Sequence, residues 1–195
     1  MPPPRLERRG FRRGLLVKRL VCLIAIVCVA RGIANAQSSD AAPSDVPISG
    51  DRAAVAEAVM NVVTEVKLCG LATEKSQNGE VRSLCRSLSA ENARMALAGL
   101  QLAQRLGATD VKLAPAPDTP AVLDALGQYS GKAFDREFLF AAIKNDEDGE
   151  HSMRYAVEVT TDAAVKRYLS AVLPRVETHL DLAESVLRRV SESMP

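Results

Sequence analysis

From residue 163 onward the chain repeats an inward-facing position by alternating steps of four and three: Val165, Leu169, Val172, Val176, His179, Ala183, Val186 and Val190. A stripe with that period covers one face of a helix, whereas a strand would alternate faces every residue. The segment must therefore lie as a long helix against other helices. One position of the stripe is polar: His179 points inward, where an imidazole needs a partner. Pro174, inside the same helix, removes the amide that would bond the carbonyl of Ser170, which predicts a kink one turn before His179.

The same periodicity predicts three further long helices upstream. Asp51 caps a first, with the inward row Val55, Val59, Val62, Val66 and Cys69, ending near Thr73. Asn78 caps a second, with the row Val81, Leu84, Cys85, Leu88, Asn92, Met95, Gly99, Leu102 and Leu106, stopped by Gly107. Asp135 opens a third, with Phe138, Ala142, Asp146, Gly149, Met153 and Val157. Residues 108–133 are too many for a tight connection, and Thr119-Pro120 can start a short helix within them, through Tyr129. The expected fold is all-α: an antiparallel four-helix bundle of two helical hairpins joined by a long crossover containing a short helix, the connectivity of ferritin-like bundles. Aromatic residues make up only 4 % of the chain, with no Trp, which favours helix packing over a sandwich or barrel.

The net charge of +1 hides a division. Residues 1–36 hold eight of the 25 Lys and Arg but one of the 24 Asp and Glu, leaving 17 basic and 23 acidic residues in the rest. An acidic surface with no basic stripe argues against nucleic-acid binding. In the front end, Arg12, Arg13, Lys18 and Arg19 precede the apolar run Leu20 to Ala30, and Ala34-Asn35-Ala36 offers small residues to a signal peptidase. This is the pattern of a secretory signal, with cleavage expected after Ala36 and a periplasmic destination. The run is shorter than the roughly 20 residues that span a bilayer, so contact with the membrane is expected only through the export signal. Residues 1–16 are long for the start of such a signal. Val17 makes an alternative start, while Arg12-Arg13 loosely matches a twin-arginine export signal. Residues 37–50, polar and rich in Pro and Ser, form an expected disordered linker before a domain over 51–190.

Polar residues interrupt the inward rows. Asn92, Asp146 and His179 sit inside theirs, while Glu65 and Glu91 lie on the margins. Counting from the two turns, their depths agree to about one helical turn, so they can meet. Two readings stay open. In one, Asp146 accepts from His179, Asn92 completes the network, and nothing else binds. In the other, His179 and Asp146 with Glu91, Glu65 or both hold a divalent metal, with iron, manganese or zinc favoured over copper. His151 lies about 140° round the helix from Asp146 and belongs to a solvated face. The run at 145–151 resembles a calcium loop, but Tyr155 falls at its twelfth position and has no carboxylate to give. Cys69 and Cys85 face inward on either side of the first turn, either as a disulfide worth about 3 kcal/mol or as two buried free thiols. No CxxC, HExxH, GxSxG or phosphate-loop motif occurs, so no familiar enzyme chemistry is indicated.

With these residues in view, the chain resembles the bacterial envelope family known as domain of unknown function 4142. The resemblance lies in EVKLCGLATEKSQNGEVRSL at 65–84, GKAFDREF at 131–138 and LPRVETHLDLAE at 173–184. It implies a ferritin-like helical bundle in the periplasm, with a structural or binding role, conceivably under envelope stress. It also implies a polar site with Asp-His in the second helix and one His in each of the third and fourth. The corresponding positions here are Glu91-Asn92, Asp146 and His179, so two of the three imidazoles are replaced.

Overall fold

The computed structural model describes residues 50–192. The expected leader at 1–36, the alternative start at Val17, and residues 37–49 of the expected linker lie outside the described residues. Within them the chain forms α1 (Gly50–Lys75), α2 (Gly79–Arg105), α3 (Thr119–Gly127), α4 (Gly131–Val159) and α5 (Ala163–Glu192), and no strand. No helix among the described residues is long and apolar enough to cross a membrane.

Local chemistry sets the helix ends. Asn78 Oδ1 accepts from the amides of Glu80 (2.8 Å) and Val81 (3.4 Å). Asp162 Oδ1 likewise accepts from Ala164 (2.7 Å) and Val165 (3.0 Å) at the head of α5. Each cap satisfies amides that a helix start leaves without partners. Beyond α2, Gly107 takes a positive φ of 72°, which closes the helix as its position predicts. The links at 76–78 and 160–162 are short, so α2 turns back along α1 and α5 back along α4. α1 also packs on α4, α2 on α5, and α3 lies against α4 and α1.

Three expectations are corrected. Asp51 lies inside α1, which already includes Gly50, and its carboxylate accepts from the Thr160 and Thr161 hydroxyls where a cap was expected. α4 begins at Gly131, a turn before Asp135, because the apolar row starts with Phe134, which is fully buried and stacks on Phe138. Asp135 is accordingly buried inside the helix. In α1 the inward row steps three residues from Val62, to Glu65 and then Leu68, so Glu65 is buried and Val66 is only half-buried. The stripe of α5 is as expected: all eight positions are buried, and the helix continues through Pro174.

The buried side chains form two apolar clusters, one towards each end of the long helices. One contains Val55, Val59, Val62, Met153, Leu169 and Val176; the other contains Leu68, Leu88, Phe134, Phe138, Leu139 and Val186. Burying each such side chain contributes about 1.5 to 3 kcal/mol. Close helix contact is made at Gly99, where an added Cβ would fall 2.4 Å from Tyr168 Oη and 2.5 Å from Val59 Cγ2. Tyr168 also donates to the Met95 carbonyl at 3.2 Å, which fixes its ring over that gap. Gly70, exposed on α1, has nothing within 4 Å of the same construction. Gly99→Ala should therefore lower stability by about 1 to 3 kcal/mol through overpacking. Gly70→Ala should raise it by about 0.5 to 1 kcal/mol through helix propensity. Urea unfolding of both variants checks the contrast, and a stabilising Gly99→Ala would contradict this packing.

Candidate functional site

Between the two apolar clusters each long helix contributes a deeply buried polar side chain, and in α1 buried Thr64 precedes it. In α1 Glu65 lies between Val62 of one cluster and Leu68 of the other; in α2 Asn92 lies between Ala96 and Leu88. In α4 Asp146 lies between Met153 and Ala142, and in α5 His179 lies between Val176 and Ala183. Their exposures are 0 % for Glu65 and 1 % for each of the other three. The core is thus mainly apolar towards both ends, where Asp135 is a buried exception, and polar at its middle.

The contacts within this layer run along two seams. On the seam of α1 and α4, Asn145 Nδ2 donates to Glu65 Oε2 at 3.2 Å, and the Cys69 thiol donates to Glu65 Oε1 at 3.7 Å. Asn61 Nδ2 donates to the Asn145 carbonyl at 2.7 Å, which locks the two helices together beside the acid. On the seam of α2 and α5, His179 Nε2 lies 3.0 Å from Glu91 Oε2. Facing a carboxylate, Nε2 carries the ring proton as donor. Arg175 reaches the other oxygen of Glu91 at 3.1 Å from the surface side. Three atoms of this layer, Asn92 Nδ2, Asp146 Oδ2 and His179 Nδ1, are buried without a protein partner.

Burial governs the ionisation of the layer. Glu65 is held well above the usual carboxylate range by desolvation, and the neighbouring charge of Asp146 adds to the shift. Desolvation likewise pushes Asp146 up to about 8, with the Asn145 side chain pulling weakly the other way. The acid pair therefore carries protons at neutral pH, since ionising both in a dry site costs too much. Glu91 moves oppositely: its hydrogen bond to His179 lowers it, helped by the charges of His179 and Arg175 against partial burial. Cys69 and Cys85 are fully buried with free thiols. The Cys69 thiol is raised first by its hydrogen bond with Cys85 and then by burial, so it is no nucleophile in this state.

The sequence placed Asn92, Asp146 and His179 inside their rows but Glu65 only on the margin of its own, and it did not give the pairings. In one of the two readings of the sequence Asp146 accepts from His179; Glu91 takes that bond instead, because its longer side chain reaches across from the margin of α2. Of the four residues considered as metal ligands, Glu65 is electrostatically coupled to Asp146, and Glu91 bonds to His179. Among the described residues no group of three or more His, Cys, Asp or Glu is gathered closely enough to hold a metal ion. The donor types suit a divalent ion, but their placement here does not form its coordination shell. Sequence reasoning missed Asn61 and Asn145. Asn61 lies one turn before Glu65, and Asn145 lies next to Asp146, so adjacency to the buried acids was the available signal. His151 is exposed, as expected. α4 passes through 145–151 as continuous helix, which leaves no calcium loop.

Comparisons with known proteins agree with this architecture. The family described as Domain of unknown function (DUF4142) matches residues 34–186. The structure is similar to the crystal structure of a conserved hypothetical protein from Mycobacterium tuberculosis, with a TM-score of 0.58 and 19 % identity. That likeness covers 75 % of this chain and 94 % of the other, and it is a likeness of fold. No curated protein matches the chain.

The raised acids have a thermodynamic consequence. A carboxyl that binds its proton more tightly when folded adds most stability below its unfolded pKa, about 4, and loses it as pH rises through the folded value. For Asp146 that window runs from about 4 to about 8. Asp51 and Glu91, both lowered, act in the opposite sense and only at more acid pH. Urea unfolding between pH 5 and pH 8, in steps of about one unit, should show stability falling with pH. Asp146→Asn should flatten that slope by up to about 1.4 kcal/mol per pH unit. An unchanged slope would contradict a proton held at Asp146.

Proposed function

The chain belongs to the DUF4142 family, and from that membership we propose that it is an exported module of the bacterial envelope, structural or binding in role rather than catalytic. Its architecture is read as an antiparallel four-helix bundle with ferritin-like connectivity, α1–α2 and α4–α5 being the two hairpins and α3 lying in the crossover. One observation carries the non-catalytic reading: every member of the polar layer is at most 1 % exposed, so no substrate reaches these groups without opening the core. Catalytic groups work within hydrogen-bond reach of a bound substrate, a condition this burial does not meet. The layer instead acts as a specificity element. Polar side chains at one depth on four helices penalise any register that separates them, because each would then be buried without a partner.

A second reading is favoured by the partnerless atoms Asp146 Oδ2 and His179 Nδ1, which are donors of the kind that bind iron, manganese or zinc. It requires His179 and Asp146 to close on one point with Glu91, Glu65 or both, which is not their present arrangement. Export rests on the pattern of residues 1–36, and an envelope role rests on the family.

Two measurements test the proposal. Mass spectrometry of the protein recovered from the periplasm should find a mature N-terminus at Gln37, and an intact leader would contradict export by cleavage. Metal analysis of the same preparation should find no stoichiometric divalent ion. A bound metal that raises the melting temperature, and is lost in His179→Ala, would replace the structural reading with the metal-binding one.

A further inference from the structure

Cys69 stands seven residues before Ser76, the first residue of the link between α1 and α2, and Cys85 stands seven residues after Asn78, its last. At about 1.5 Å of rise per residue, the two cysteines therefore lie at one height on neighbouring helices that run in opposite directions. Both are fully buried in the same apolar cluster, and the Cys69 thiol is in hydrogen-bonding contact with that of Cys85. The second contact of Cys69 leads into the polar layer, where its thiol donates to Glu65 Oε1 at 3.7 Å. Asn145 donates to the other oxygen of that acid. Sulfur pair and buried acid are thus joined through one S–H group.

We propose that Cys69 and Cys85 are an intrachain disulfide site, and that closing the bond withdraws the hydrogen bond that Glu65 receives from sulfur. The reaction is thiol–disulfide exchange, with a small-molecule or protein disulfide as oxidant. One cysteine thiolate attacks that disulfide and releases one of its sulfurs as a thiolate, leaving a mixed disulfide. The second cysteine, also as a thiolate, displaces the other sulfur. One S–S bond forms in the chain and one breaks in the oxidant; the chain gives up two electrons and two protons, and the oxidant leaves as two thiols. Burial sets the moment of reaction. Thiols with 0 % exposure meet no oxidant, so exchange runs while the α1–α2 hairpin is open, and the closed core then shields the product. A disulfide sulfur carries no hydrogen, so Glu65 Oε1 loses its donor while Asn145 keeps its place on Oε2. The redox state of the hairpin is thereby passed to the polar layer. This chemistry is independent of the compartment, and its failure would leave the export reading untouched.

The test refolds the full chain from urea at neutral pH, with oxidised glutathione in one sample and a dithiol reductant in the other. Remaining thiols are alkylated, and each sample is digested with trypsin without reduction. Cleavage after Lys67, Lys75, Arg82 and Arg86 puts Cys69 and Cys85 in separate peptides, 68–75 and 83–86. Mass spectrometry should find these peptides joined in the oxidised sample and alkylated in the reduced one. Infrared spectroscopy reads the second half of the proposal. The carboxyl band of Glu65, identified as the one lost in Glu65→Gln, should move to higher wavenumber on oxidation, because a carbonyl stiffens when it loses a donor. Cys69→Ala, with circular dichroism confirming its helices, should show the moved band under reducing conditions. Cysteines recovered alkylated or bound to glutathione from the oxidised sample would overturn the proposal, and so would a joined pair whose Glu65 band matches that of the reduced chain.

Discussion

The constraint on which the rest of this structure depends is the burial of two carboxyl groups, Glu65 and Asp146, in the polar layer between two largely apolar clusters. Two negative charges there would face the desolvation cost and each other's repulsion together, so the pair holds protons. Protonated acids are hydrogen-bond donors as well as acceptors, which makes them compatible with Asn145, Cys69 and the rest of the layer. The helices are consequently fixed at one depth relative to each other, since sliding any one by a turn would strand its polar group in an apolar cluster.

The two seams solve the same problem differently. Between α2 and α5, Glu91 stays ionised because it lies at the edge of the core, bridging buried His179 and surface Arg175. Between α1 and α4 no basic residue faces Glu65, and neutral amides take its place: Asn145 donates to the acid, and Asn61 donates to the backbone of Asn145. Gly149 makes that Asn61 contact possible, because any side chain there would displace Asn61.

Much of this was legible in the chain because helix periodicity is a strong signal over thirty residues. The stripe of α5, the caps at Asn78 and the stop at Gly107 were all readable, and so was the crossover helix at Thr119. What failed was phase and reach. A helical row can step three or four, and after Val62 the choice of Val66 over Glu65 put an acid at the margin that lies at the centre. The start of α4 was misplaced because Asp135 looks like a cap, although Phe134 before it already belongs to the core. Pairings were less legible still. Depth along a helix brought Asp146 and His179 to one level, but the length of the Glu91 side chain and the seam on which it lies decided which acid the imidazole meets. Contacts between distant segments, such as Thr64 with Ala116, are announced by no local pattern.

The central claim is that the buried acids are protonated at neutral pH. Infrared spectroscopy reads it directly, by comparing the wild-type chain with Glu65→Gln. A carbonyl band of a protonated carboxyl, present in the wild type at neutral pH and missing from the variant, is the result this account requires. If the variant instead removes only an ionised carboxylate band, Glu65 is charged in the core and the account is wrong.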